Sequence, residues 1–255
     1  MSIFERHSKL NNYEFCARWV ADQAPADKSD FRVLDYGCGG GEIVGLLHDR
    51  KIDAYGCDVF YEGGSLFHAL DKALLDESFF KVMEGGIIPF PDRHFDVIVN
   101  NQVIEHVEDL DIVLAEMRRV LKPGGMVLSL FPDRGVWREN HCGIPFLHWF
   151  PKHSRPRVYY AAGLCRIGMG YFKAARKPMD WSVNMCHWLD QWTHYRSWRE
   201  IAPAYKRYFK SLENIEADYM AQRLGMVHPM AKLPRAWRRL LINKLAGRVF
   251  VAHAG

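Results

Sequence analysis

His106 follows the fourth apolar run of the chain, and Glu139-Asn140-His141 follows the fifth. A histidine titrates near neutral pH, so it suits a group that must take or give a proton. Glu139 stands two residues before His141, and the two could pair as orienter and base; the alternative is a hydrogen-bonded corner of the chain. His106 could likewise be a base or a packed structural ring. Upstream, Val33-Leu34-Asp35-Tyr36 leads into Gly37-Cys38-Gly39-Gly40-Gly41-Glu42. Glycines at such a turn allow unusual dihedrals and let the backbone approach a ligand closely. Asp58 follows Gly37 by 21 residues. His141-Cys142 and Cys186-His187 carry metal-ligating types, but adjacent pairs lack the spacing of zinc motifs, and no metal is expected.

Two ligand classes use a glycine turn between a strand and a helix. Dinucleotides want G-x-G-x-x-G, with a pyrophosphate on the helix N-terminus. Here the last position is Glu42. A carboxylate beside a pyrophosphate is repelled, which argues against a nicotinamide oxidoreductase. S-adenosylmethionine carries no phosphate, and an acid placed as Asp58 is can accept hydrogen bonds from both ribose hydroxyls.

The run Asp35-x-Gly37-x-Gly39-x-Gly41 is similar to the D/E-x-G-x-G-x-G loop of class I methyltransferases. Ile88-Pro89-Phe90-Pro91-Asp92 through Phe95-Asp96-Val97-Ile98-Val99 resembles that family's LPFPDxxFDVV segment. Glu105-His106 resembles its EH element, and Leu121-Lys122-Pro123-Gly124-Gly125 its LKPGG turn. The resemblance covers roughly residues 32–132, and it implies the cofactor S-adenosylmethionine. It also implies roles: Asp35 at the methionine end, Gly37, Cys38 and Gly39 as the backbone cradle, Asp58 on the ribose and Val59 against the adenine. Glu84 would face the adenine amine, although Met83-Glu84 replaces the family's Gly-Asp pair, and a solvated loop acid is the alternative. Asn101 would sit near the methionine amino group, and His106 near the methionine itself. Tyr13, in an N-terminal helix, would cap the pocket.

These residues need a scaffold that brings strand ends together. Phe31–Tyr36, Ala54–Asp58, Phe79–Met83, Phe95–Val99 and Met126–Phe131 read as buried strands. Between them, Glu42–Arg50, Ser65–Leu75 and Leu110–Leu121 have helical apolar spacing. His106 is expected to start the helix beyond the fourth strand. Alternating strands and helices predict an α/β, doubly wound, Rossmann-like, seven-stranded and mostly parallel sheet. Trp198–Tyr208 and the basic stretch Arg235–Leu245 read as helices, and Leu212–Tyr219 and Arg248–Ala252 as the last two strands. The chain is expected to form a single domain comprising a cofactor half over 1–132, an insertion or lid over 133–196, and the closing elements over 197–255. Five of the eight tryptophans lie in that insertion and Trp198 just beyond it. They suit a pocket that encloses an apolar or ring-shaped group, or a lid core in which tryptophan simply packs.

Composition narrows the partners. The 255 residues carry a net charge of +4, and after Asp218 there are seven basic residues and no acid. Residues 234–245 could lie on an anionic membrane, attract an acidic substrate, or pack on the sheet. No apolar run spans a bilayer, Met1–Asn12 has no apolar signal core, and six cysteines without a paired framework fit a reducing compartment. The expectation is a cytoplasmic protein, with peripheral membrane contact left open. Absence of N/D-P-P-Y and of Pro-Cys argues against amide-like nitrogens and pyrimidine carbons as acceptors. There is no appended RNA-binding module, and nucleic acid is not expected as a partner. The leading expectation is methyl transfer to O or N of a small-molecule, glycan or lipid-linked acceptor. The alternatives are a non-catalytic cofactor-binding protein of the same fold and a macromolecular (RNA or protein) methyltransferase.

Overall fold

The computed structural model describes residues 11–59, 79–224 and 232–255. Helix α1 (Asn12–Gln23) is capped by Asn11, whose side chain accepts the Glu14 N–H. Strand β1 (Arg32–Tyr36) then enters the core, with Val33 and Leu34 fully buried. Gly41, in the left-handed region at φ +80°, opens α2 (Glu42–His48). Strands β2 (Asp53–Asp58), β3 (Phe80–Val82) and β4 (Phe95–Asn101) follow. Helix α3 (Leu110–Val120) is capped by Asp109, which accepts the N–H groups of Asp111 and Ile112, and strand β5 (Leu121–Phe131) completes this half. The helix expected over Ser65–Leu75 lies outside the described residues.

After β5 come α4 (Arg155–Arg166), α5 (Pro178–Trp192), α6 (Trp198–Tyr208), β6 (Ser211–Asn214), α7 (Glu216–Leu224), α8 (Arg235–Leu245) and β7 (Arg248–His253). The seven strands form one sheet in the order β3-β2-β1-β4-β5-β7-β6. The first five are parallel, while β7 is antiparallel to both β5 and β6. Strand order reverses between β1 and β4, and in such sheets ligands bind beyond the carboxyl ends of the strands at that switch. The expected mostly parallel, doubly wound sheet is present.

Three boundaries differ from the sequence expectation. Leu212–Tyr219 is a strand only over Ser211–Asn214, because Ile215 and Tyr219 are spaced by four and begin a helix, with the Tyr219 N–H on the Ile215 carbonyl at 2.9 Å. His106 does not start α3; it ends a short 3-10 turn over Ile104–His106, four residues before the Asp109-capped helix begins. Lys122-Pro123-Gly124-Gly125 lies inside β5, where pairing steps from Phe95↔Leu121 to Val97↔Met126 and Gly124 takes φ +75°.

One core packs α1, α2 and α7 on one face of the sheet, and a second packs α3 and α6 on the other. Residues 133–196 have a cluster of their own, in which Cys142, Ile144, Leu147, Trp181 and Leu189 are buried together. Trp181 donates to the Tyr171 carbonyl at 2.9 Å, and the buried Arg157 pairs with Asp190. All six cysteines are buried and unpaired.

Candidate active site

The carboxyl ends of β1, β2 and β4 open onto a cavity of about 590 Å³. Of the residues singled out from the sequence, Asp35, Gly37, Cys38, Gly39, Asp58, Val59, Asn101, His106 and Tyr13 line it. Parallel pairing explains the convergence, because Asp35 lies beside Gly56 of β2 and Val99 of β4. Gly37 takes φ +74°, and a Cβ there would stand 2.4 Å from Val103 Cγ2, so the turn admits only glycine. The Gly39 N–H donates to Asp58 Oδ2 at 2.9 Å, which holds that carboxylate at the cavity edge. Asn12 Nδ2 donates to Asn101 Oδ1 at 3.2 Å. Glu42, whose charge argued against a pyrophosphate, also lines the cavity.

Asp35 is 2% exposed, and its Oδ1 has no hydrogen-bond partner. Burial, with the negative charges of Asp58 and Glu42, pushes its carboxyl well above the usual range. Such a group has a strong electrostatic use for a cationic ligand. Glu84 is placed differently from the residues around it. It is exposed, bridges to Ile87 and lies outside the cavity lining, which is made at that side by Met83, Gly85 and Gly86. Its backbone turn therefore reaches the cavity while its carboxylate stands in solvent.

Beside the cavity is a histidine centre. His106 Nδ1 lies 2.6 Å from the Trp192 carbonyl, and its Nε2 lies 3.2 Å from His141 Nε2. His141 Nδ1 lies 2.6 Å from Glu139 Oε1. Glu139 is fully buried and also accepts the Tyr195 hydroxyl at 2.7 Å and the Cys142 N–H at 2.7 Å. Glu139 and His141 therefore do pair, and the pair reaches the cavity through His106; neither Glu139 nor His141 lines it.

The environments of the two rings differ. Burial, only partly offset by the Trp192 carbonyl, lowers His106 to about 4. Burial also works against charge on His141, but the hydrogen bond and charge of Glu139, with the charge of Glu105, leave it raised. For Glu139, burial is outweighed by His141, Tyr195 and Cys142, and the carboxyl is lowered. Glu105 is buried next to this pair with neither oxygen hydrogen-bonded, and burial raises it to about 8.

Several site residues lie in segments singled out from the sequence but were given no site role of their own there. Gln102 takes φ +60° at the end of β4 and lines the cavity, and Trp192 lines it from the end of α5. Tyr195 belongs to the histidine centre through contacts that only the folded chain brings together, whereas Glu105 is the neighbour of His106 in the EH element. The adjacent pairs weighed for a metal do not converge: Cys142 and Cys186 are buried in the insertion core, whereas His187 is exposed.

The basic tail is largely engaged within the chain. Arg235 pairs with Asp218 at 3.0 Å, Arg239 with Glu216 at 3.5 Å, and Arg248 with Asp133 at 2.6 Å. Trp237, Leu240 and Leu245 of α8 remain exposed. No described helix is long and apolar enough to cross a membrane.

A family model described as a methyltransferase domain matches residues 6–209. A probable S-adenosylmethionine-dependent methyltransferase of Mycolicibacterium smegmatis is 35% identical over 126 residues, 48% of this chain and 47% of that protein. The ubiquinone biosynthesis O-methyltransferase of Brucella anthropi is 27% identical over 145 residues, 54% of this chain and 58% of that protein. The matches to these and to a bifunctional biotin biosynthesis protein of Saccharophagus degradans span between 22% and 58% of the relatives' lengths. Among solved structures, an S-adenosylmethionine-dependent methyltransferase from Mesorhizobium loti aligns with a TM-score of 0.54 at 15% identity, covering 95% of this chain and 100% of that one. At that identity the likeness is one of fold.

Proposed function

This chain belongs to the class I S-adenosylmethionine-dependent methyltransferase family, and we propose that it moves the sulfonium methyl to O or N of a small-molecule, glycan or lipid-linked acceptor. The observation that carries this reading is the close series His106, His141 and Glu139 placed directly beside the cavity. A non-catalytic cofactor-binding protein has no need of it.

The residues fit the cofactor. Asp35 offers a buried, unpartnered carboxylate oxygen to the methionine ammonium. Asp58, held by the Gly39 N–H, accepts from the ribose hydroxyls. Val59 and Met83 supply apolar surface for the adenine. The sulfonium is a good leaving group, so the protein's main contribution is to align acceptor and methyl in line. An O–H or N–H acceptor also loses a proton. The histidine centre draws that proton, with His106 nearest the cofactor and Glu139 favouring positive charge on His141.

Two observations support the acceptor class. The relative from Brucella anthropi is by name a ubiquinone biosynthesis O-methyltransferase. The exposed Trp237, Leu240 and Leu245 of α8 would let the protein meet a lipid-borne acceptor at a membrane surface. A macromolecular role for the basic tail is less favoured, because Arg235, Arg239 and Arg248 are paired within the chain.

The test is calorimetric titration with S-adenosylmethionine, followed by transfer of labelled methyl to a panel of phenols, amines and polyprenyl-linked phenols. Cofactor binding with turnover on one of these, abolished by His106→Ala, supports the reading. Binding without turnover on any acceptor leaves the fold as a cofactor-binding protein, and no binding removes the reading altogether.

A further inference from the structure

The two histidines of the centre face each other through the wrong atoms for two neutral rings. A carbonyl oxygen only accepts, so His106 Nδ1, at 2.6 Å from the Trp192 carbonyl, carries a hydrogen and leaves Nε2 with a lone pair. Glu139 is held ionised by its partners, so His141 Nδ1, at 2.6 Å from Glu139 Oε1, carries a hydrogen and also leaves Nε2 with a lone pair. These two Nε2 atoms are 3.2 Å apart. Two lone pairs at that separation repel unless something positive lies between them. A shared proton is one solution. The separation is also the one that a tetrahedral ion sets, since metal–nitrogen bonds of about 2.0–2.1 Å at the tetrahedral angle place two nitrogens about 3.3 Å apart.

A third group selects between the two. Glu105 is 2% exposed, and neither carboxylate oxygen has a hydrogen-bond partner. Its ligand atom and those of His106 and His141 all lie within 4.8 Å of one another. A single proton between the rings leaves both Glu105 oxygens without a partner, whereas a divalent cation satisfies all three groups together.

We propose that Glu105, His106 and His141 bind one first-row divalent cation of the zinc type through two imidazole nitrogens and a carboxylate. Both rings already have the outer partners that ligating histidines use: a carboxylate, Glu139, behind one, and a main-chain carbonyl, that of Trp192, behind the other. Two imidazoles suit a borderline cation and disfavour magnesium or calcium, which take oxygen ligands. Three protein ligands leave a fourth position, as in catalytic zinc sites. The inference rests on the methyl-transfer reading and replaces uptake of the proton by the rings with activation of the acceptor by the cation. The acceptor hydroxyl takes the fourth position, the cation lowers its pKa, and the proton leaves to water. The oxygen's electron pair then forms the bond to the methyl carbon as the carbon–sulfur bond breaks and its electron pair stays on sulfur. The products are the methyl ether, the neutral thioether and one proton.

The test uses the full chain stripped with a chelator. Zinc is titrated against a chromophoric competitor, cobalt(II) absorption reports the ligand set, and S-adenosylmethionine binding is measured on the same preparation. One equivalent of zinc is expected, weakened by Glu105→Gln and by His141→Ala beyond the roughly 10- to 100-fold that losing an outer partner costs, and unchanged by His187→Ala at the surface. Should His141→Ala unfold, as read from its thermal transition, the near-isosteric Glu105→Gln carries the comparison. Zinc binding that is absent, or that these variants leave unaltered, overturns the cation. Cofactor binding and methyl transfer persisting in chelated, metal-free protein would overturn it while leaving the methyltransferase reading intact. Zinc binding without cofactor binding would do the reverse.

Discussion

The cofactor cavity and the histidine centre meet at His106, yet they are built in opposite ways. The cavity is mostly backbone: a glycine turn at φ +74°, strand ends in parallel register, and a main-chain N–H holding Asp58. The centre is mostly side chains, drawn from the turn after β4, from the loop after β5 and from the end of α5. Backbone geometry demands particular residues at short spacing. Side-chain geometry demands only that distant segments arrive together. The first construction can hold the same cofactor in many proteins, and the second can be rebuilt for each acceptor.

That contrast predicts separable losses. The largest is expected for His106→Ala, with methyl transfer falling on the order of 10²–10⁴-fold while S-adenosylmethionine affinity changes little. A parallel collapse of cofactor affinity, read by calorimetry, would mean that the two constructions are one. Asp58→Ala should do the opposite, weakening cofactor binding by roughly 2–3 kcal/mol through loss of charge-assisted hydrogen bonds, with the thermal transition of the cofactor-free protein nearly unchanged. Glu139→Gln should slow turnover by about 10- to 100-fold, the usual cost of losing the group that orients a working histidine. Its signature is in the pH profile. Glu139 raises His141, so removing its charge should move the acidic limb of kcat to lower pH; a uniform loss at every pH would point to a merely structural role.

A smaller effect concerns Asp35. The unfolded chain ionises this acid in the ordinary carboxylate range, whereas the folded chain keeps its proton to higher pH. Ionisation therefore costs the cofactor-free fold stability as pH rises, and a bound ammonium relieves that cost. Affinity for S-adenosylmethionine should rise with pH through the raised pKa, and the slope should vanish in Asp35→Asn. Titrations showing the same slope in both proteins would place the coupling elsewhere. The least effect on the fold is expected for Trp237→Ala on exposed α8, within about 0.5 kcal/mol of wild type by thermal unfolding, but with reduced binding to anionic vesicles if that helix meets a membrane.

The same contrast explains what was legible in the amino-acid sequence. The glycine turn, Asp58, Asn101 and the five parallel strands were readable because period and local turn chemistry dictate them. Glu84 was readable two ways, as the family's acid or as a solvated loop acid, and its exposed place outside the cavity lining agrees with the second. The end of β6 was misjudged because buried Ile215, Ala217 and Tyr219 alternate as a strand would, while the i to i+4 spacing of Ile215 and Tyr219 wins in context. Glu139 and His141 could be suspected from sequence proximity, but their link to His106 crosses 35 residues, and Tyr195 is 54 beyond His141. Nothing in local composition announces such contacts. Of the insertion's tryptophans, Trp181 packs in its core, as expected of a lid core, and Trp192 lines the cavity.

The hydrogen bond from His106 to the Trp192 carbonyl spans 86 residues of chain. Closing a loop of that length is an entropic cost that the cofactor turn, complete within a few residues of β1 and β2, does not bear. A chain warmed or strained enough to release α5 would let His106 turn away while Asp35, Gly37, Gly39 and Asp58 keep their places. Partial opening would thus keep the turn that holds the methyl donor while dispersing the centre proposed to act on the acceptor.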